Sequence, residues 1–258
     1  MKTVLVTGAT GTLGRCVVAS LKARGQAVRA FVRGAGGVEA DVVQGDLTDN
    51  RSVADAVAGV DAIVHCATAF EPDNASDLAG ARHLIDAAAV HGAPCLVYVS
   101  IIGIDGSGFS YFQGKRQVEA MIEQSGLAYS ILRTTQFHDF VFKMIESGRH
   151  DDRREIVIPA GLRFQSIEVA EVGEALADLA TGPASGRVPE MAGPAVETLD
   201  AMAAEYIRVL APTLSLRSGA MPESAQFHDE FRGGRNLLPA RSVGQRTWHD
   251  YLARRSAS

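Results

Sequence analysis

Apolar residues in the first half of the chain follow two rhythms: short continuous runs, and longer stretches in which they recur every three or four positions. The runs at 4–7, 28–32, 42–44, 62–65, 96–100 and 129–132 are rich in Val, Ile and Leu, as buried strands are. Helical spacing follows the first run at Leu13, Val17, Val18 and Leu21, and it returns over 52–57, 75–91 and 115–124. Gly59, Gly92 and Gly126 end or follow those last three stretches, where a helix stop belongs. Regular alternation of strand and helix predicts an α/β fold with a doubly wound parallel sheet, whose ligands sit beyond the carboxyl ends of the strands.

Thr7-Gly8-Ala9-Thr10-Gly11-Thr12-Leu13-Gly14 joins the first strand to the first helix. Glycines there let the backbone approach a phosphate without side chains in the way, while the N–H groups and positive dipole end of the helix face the charge. The spacing is G-x-x-G-x-x-G rather than G-x-G-x-x-G, but strand, helix and second strand surround it as a βαβ unit should. Gly8, Thr10, Gly11, Thr12, Leu13 and Gly14 are therefore expected to hold a dinucleotide in a Rossmann-type domain. At the end of the second strand, where an acidic residue would select NAD, the chain places Arg33, so NADP(H) is the expected cofactor. Arg15, just past the glycines, reads as a solvated first-turn arginine that could add a second charge.

Composition narrows the partners. A net charge of −5 with scattered basic residues lacks the footprint of a nucleic-acid binder. Apolar runs are too short to span a membrane, and no signal-peptide pattern opens the chain, so a cytoplasmic protein acting on a small molecule is expected. Cys16, Cys66 and Cys95 form no C-x-x-C pair, and Cys66 and Cys95 fall in apolar strand segments, so all three read as small buried hydrophobes. The seven histidines show no ligand spacing, and no metal site is expected. After about residue 137 the regularity fades and prolines divide the chain, with helices still readable at 167–179, 199–210 and 248–252. The expectation is a single NAD(P)-binding domain over 1–258, with 1–136 mainly holding cofactor and 137–258 mainly forming a small C-terminal α/β substrate lobe. Nothing in the pattern separates a monomer from a homodimer.

Ser100 ends the fifth strand, and Tyr111 and Lys115 follow, four apart and therefore on one helix face. An ammonium beside a phenol favours phenolate and makes the tyrosine a usable acid/base. Y-x-x-x-K alone is common on solvated helices. Placed after the fifth strand of a chain that opens with T-G-x-x-G-x-x-G, it resembles the short-chain dehydrogenase/reductase family. Val4-Leu5-Val6-Thr7-Gly8-Ala9-Thr10-Gly11, Gly45-Asp46-Leu47, Tyr98-Val99-Ser100-Ile101-Ile102-Gly103-Ile104-Asp105, Ile131-Leu132-Arg133-Thr134-Thr135-Gln136-Phe137 and Thr247-Trp248-His249-Asp250-Tyr251-Leu252 resemble its atypical NmrA-like branch, which includes quinone-reductase-like members.

That resemblance implies Tyr111 as proton donor and acceptor, Lys115 on the nicotinamide ribose, and Ser100 orienting the substrate oxygen. It implies Asp46 and Leu47 flanking the adenine, Ala67 and Thr68 lining the ribose, and Thr135 and Phe137 at the nicotinamide end. His138, beside them, reads equally as a polar residue starting a surface helix. Many members carry an asparagine of a proton relay in the helix before the fifth strand, whereas the stretch 76–80 here offers Asp77. The function implied is NADPH-dependent hydride transfer to a small apolar carbonyl or quinone-like substrate. Two other readings stand beside it: a non-catalytic redox-sensing regulator of NmrA type that binds NADP(H), and an epimerase or dehydratase that uses its dinucleotide transiently.

Overall fold

A computed structural model describes residues 1–34, 37–219 and 225–257. The chain divides into two compact units, one of Met1–Ser100, Ser110–Arg133 and Ala170–Pro189, the other of Ile101–Phe109, Thr134–Val169 and Glu190–Ser258.

The first unit is built on β1 (Thr3–Thr7), α1 (Thr12–Ala23), β2 (Ala27–Val32), β3 (Asp41–Gln44), α2 (Asn50–Val57), β4 (Ala62–His65), α3 (Ala75–Val90), β5 (Cys95–Ile101), α4 (Ser110–Gln124) and β6 (Tyr129–Thr134). With the short strand Gly186–Arg187 on one edge, the sheet order is Gly186–Arg187, β6, β5, β4, β1, β2, β3. The described pairings are parallel. Order reverses between β1 and β4, so the crevice of a doubly wound sheet opens at the carboxyl ends of those two strands. Both are buried to their last residues, Thr7 and His65, as strands covered on both faces must be. Leu5, Ile63, Leu96 and Tyr98 point from one face of the sheet into a core with Val53, Leu84, Val118 and Ile122 of the helices. Helix Val169–Thr181 packs on α1 where Gly173 meets Cys16, a contact too close for a Cβ on the glycine.

Strands β1 to β6 fall within two residues of the spans expected from the sequence, whereas the edge strand Gly186–Arg187 was not expected. Helix α4 starts five residues earlier, at Ser110, and so carries Tyr111 in its first turn. The cysteines differ from expectation. All three are half-buried rather than fully enclosed, and Cys66 lies one residue beyond β4.

The second unit holds more regular structure than its sequence suggests. Glu155–Pro159 pairs with Arg149–His150 and with Ser215–Gly219, and Arg163–Phe164 pairs with Glu197–Thr198. These strands run only two to five residues, too short to display a period. Helices His138–Ser147, Leu199–Leu210, Ala225–Arg232 and Trp248–Ser256 complete it. The last begins with a reciprocal Thr247/Asp250 capping box and extends four residues beyond the span read from sequence. Trp248 is buried with its indole N–H donating to the Met202 carbonyl at 3.0 Å.

Candidate active site

The glycine turn is a cradle by exclusion. Gly8 has φ +64°, and a Cβ there would lie 2.7 Å from the Ala67 nitrogen; a Cβ on Gly14 would lie 2.1 Å from the Gly8 oxygen. The turn, the start of α1 and the segment after β4 are thus nested at distances that no side chain permits. Gly11 caps α1 without a side-chain bond, and no acidic residue sits in the first turn. The N–H groups of that turn face outward at the positive end of the helix dipole, so the residues present fit a bound pyrophosphate. Thr10 and Thr12 are exposed beside it, while Leu13 turns its side chain into the core and can offer only backbone.

Arg15 does more than a solvated arginine. Its Nε donates to the Thr10 carbonyl at 2.9 Å and its Nη1 to the Gly37 carbonyl, tying the glycine turn to the segment after β2. Arg33 directly follows β2 and is exposed, with its carbonyl held by Gln44 Nε2 at 3.1 Å. Asp46 accepts from the Thr48 N–H at 2.8 Å and hydroxyl at 2.7 Å. Those bonds, with help from the Arg33 charge, hold its carboxyl below the usual carboxylate range. Leu47 packs on α3 at Gly80.

A second arrangement, built from side chains, lies at the ends of β4 and β5. Tyr111, Lys115 and Glu119 repeat every four residues along one face of α4. The Lys115 ammonium is buried 5.1 Å from the Tyr98 ring centroid and 5.8 Å from that of Tyr111, and it hydrogen-bonds to Tyr98. Burial works against its charge, but Tyr98, Tyr111 and Asp77 outweigh burial, so Lys115 titrates above its ordinary value and stays an ammonium. Burial pushes the Tyr98 phenol up to about 12. His65 stacks on Tyr98 at 5.5 Å and bonds to Thr7 Oγ1 through Nδ1 at 2.8 Å. Burial, then the Lys115 charge, drive His65 down to about 3, which keeps it neutral. Burial likewise pushes the Cys66 thiol up to about 12, so it is no nucleophile.

Three further contacts fix α4. Glu119, with its side chain 0% exposed, takes a two-pronged bond from Arg133 at 2.8 and 2.7 Å and another from Arg187 at 2.8 Å. Burial alone would raise its carboxyl; the bonds from Arg133 and its neighbours hold it below the ordinary value instead. Ser100 is enclosed beside this carboxylate, and its hydroxyl makes no well-aligned bond. Asn74 wedges against Gly114, where any Cβ would strike it, and donates to the Ser110 carbonyl at 2.8 Å.

Above Lys115, Asp77 accepts from the Thr68 hydroxyl at 2.6 Å and from the Ala69 N–H at 2.6 Å, and Thr68 Oγ1 lies 3.4 Å from the Tyr111 hydroxyl. Phe70, 74% exposed, places its ring 5.1 Å from that of Tyr111.

Of the residues expected from sequence, Tyr111, Lys115 and Thr68 come together, and Ser100 is set toward Glu119. Sequence reading missed Asn74, His65, Tyr98 and Glu119. Two had a legible signal, since Tyr98 shares the strand face of Ser100 two residues on, and Glu119 continues the four-residue repeat from Lys115. Thr135 and Phe137 belong to the second unit. Thr135 is buried, its Oγ1 accepting from the Gly193 N–H at 3.2 Å, and Phe137 caps helix His138–Ser147. His138 is not at the surface. Its Nε2–H donates to the Arg246 carbonyl at 3.1 Å, its Nδ1 accepts from Ser166 at 2.8 Å, and burial pushes it down to about 4. It is a neutral core histidine.

Among the described residues there is no cluster of His, Cys, Asp or Glu suited to a metal ion, and no helix long and apolar enough to cross a membrane.

The sequence profile of a family described as NAD(P)H-binding matches residues 8–183. Quinone oxidoreductase 2 of Escherichia coli (strain K12) is 26% identical over 227 residues, covering 80% of this chain and 73% of its own. Sterol demethylase protein B of Methylococcus capsulatus is 32% identical over 157 residues, 55% of this chain and 47% of its own. The chain spans about half the length of this relative and of the photosystem II assembly factor Ycf39 of Cyanophora paradoxa, which it also matches. In fold, the NADPH complex of quinone oxidoreductase QOR2 from Escherichia coli superposes with a TM-score of 0.78 at 20% identity, over 97% of this chain and 99% of that one. Triphenylmethane reductase of Citrobacter sp., crystallised with NADP(H), gives 0.74 at 19% identity, over 98% and 99%.

Proposed function

The chain belongs to the NAD(P)H-binding family, and on that premise we propose that it is an NADPH-dependent oxidoreductase acting on a small apolar carbonyl or quinone-like substrate. The observation that carries this reading is the buried Lys115 ammonium beside Tyr98 and Tyr111, at strand ends adjoining a cradle that fits a pyrophosphate. The motifs' resemblance to NmrA-like short-chain reductases supports it, and so does the likeness to a quinone oxidoreductase.

When bound, the nicotinamide supplies a hydride. The chain supplies the rest. The N–H groups of the glycine turn hold the pyrophosphate, and Arg33, with Arg15 bracing its segment, provides the positive charge that a 2′-phosphate requires. Tyr111 gives its hydroxyl proton to the substrate oxygen as negative charge develops there, and the fixed Lys115 charge stabilises the phenolate left behind. Exposed Phe70 beside Tyr111 offers an apolar surface to the substrate.

The test is NADPH oxidation over a panel of aldehydes, ketones and quinones, compared with NADH. Tyr111→Phe is expected to lower kcat on the order of 10²- to 10⁴-fold while leaving NADPH affinity unchanged. Intact turnover in that variant removes Tyr111 from the mechanism. Tight NADPH binding without turnover of any substrate would favour the regulatory reading instead.

A further inference from the structure

Resting on that reading, we propose that Thr68 and Asp77 form the path by which the proton leaving Tyr111 is replaced. Three hydrogen-bond positions set the order of the chain. A carboxylate only accepts, so the Thr68 hydroxyl, 2.6 Å from Asp77 Oδ2, directs its single hydrogen at Asp77. The Thr68 oxygen then has only lone pairs left to offer the Tyr111 hydroxyl, 3.4 Å away. That separation exceeds a formed O–H···O bond, and such contacts commonly tighten when substrate binds.

Asp77 is held by a second bond, its Oδ1 accepting from the Ala69 N–H at 2.6 Å, so the carboxylate stays at the base of the loop that carries Thr68. Two neighbours of Tyr111 contrast with this route. Lys115 is buried and occupied with Tyr98, and Phe70 is apolar, whereas Thr68 is exposed to solvent and Asp77 is half-buried.

The proton count closes. Tyr111 gives its proton to the reduced substrate and is left as phenolate. Asp77 takes one proton from solvent; that proton passes to the Thr68 oxygen as the Thr68 hydrogen passes to Tyr111. Asp77 ends as carboxylate, Thr68 as hydroxyl and Tyr111 as phenol, so each turnover moves one solvent proton inward and nothing is oxidised along the path.

The experiment uses the full chain with NADPH and either p-nitrobenzaldehyde or menadione as the probe. Thr68→Val and Asp77→Asn are expected to lower kcat at saturating NADPH on the order of ten- to hundredfold. Thr68→Ser keeps a hydroxyl in place and is expected to stay within about twofold of wild type. Imidazolium buffer, a small external acid, should raise the rate of Thr68→Val in proportion to its concentration and leave wild type unaffected.

Wild-type rates in Thr68→Val, with Tyr111→Phe inactive, overturn the path and leave the proposed function standing. Equal losses in Thr68→Ser and Thr68→Val also overturn it, because the hydroxyl is then not what matters. If wild type reduces neither probe, or Tyr111→Phe is fully active, the functional reading fails and the path fails with it.

Discussion

The glycine cradle and the Tyr111 layer sit at the same end of one sheet and are built in opposite ways. The cradle depends on atoms that are missing: Gly8 and Gly14 bring backbone to within distances that a single methyl group would block. The layer depends on atoms that are present, with Thr7, His65, Tyr98, Lys115 and Glu119 drawn from β1, β4, β5 and α4 and all buried. One should break when something is added, the other when something is removed.

The largest effect is expected from removal. Arg133→Met strips the enclosed Glu119 carboxylate of its two-pronged partner and leaves only the half-exposed Arg187 and the more distant Arg116, and breaking a buried pair of this kind costs about 3–5 kcal/mol of stability. Denaturant unfolding measures it, and a loss near zero would mean that the ionic contact does not anchor α4.

Addition comes next. Gly14→Ala puts a methyl group against the Gly8 carbonyl, for about 1–3 kcal/mol of strain and more than a tenfold loss of NADPH affinity in a fluorescence titration. The near-UV signal of the tyrosine layer should persist, since of that layer only Thr7 adjoins the turn.

Smaller still is Arg33→Gln, expected to weaken NADPH about tenfold, or ~1.4 kcal/mol, and to leave NADH binding alone. A wild-type preference for NADH would remove the argument from Arg33.

Acid is the gentlest probe. Because the folded protein holds Glu119 below its ordinary pKa, the stability it contributes is complete above the unfolded value and is lost as pH falls through the folded one. Glu119→Gln, weaker at neutral pH, should therefore show a flatter decline of melting temperature below about pH 4 than wild type.

The cradle was legible in the sequence because its cause is local: glycine alone admits the positive φ at Gly8 and the close backbone approaches at Gly8 and Gly14. Tyr111 and Lys115 were legible as a pair because four residues on a helix make one face. Ser100 shows the limit. Its place at the strand end could be read, but its direction toward Glu119 depends on an ion pair formed with Arg133, on another strand. His138 failed for a related reason, since nothing within its own helix announces that Ser166 and Arg246 will close over it. Asn74, a left-handed residue at the start of α3, was equally silent in the sequence, since only the approach of Gly114 and the Ser110 carbonyl gives it contacts.

The sequence by itself determined the sheet, its helices, the glycine turn and the positive charge at the end of β2, because periodicity, glycine and charge act over a few residues. Only the tertiary structure decided which groups meet at Tyr111. Lys115, Tyr98, Thr68 and Asp77 are separated along the chain, and burial gives the contact of Lys115 with Tyr98 an electrostatic weight that no local pattern records.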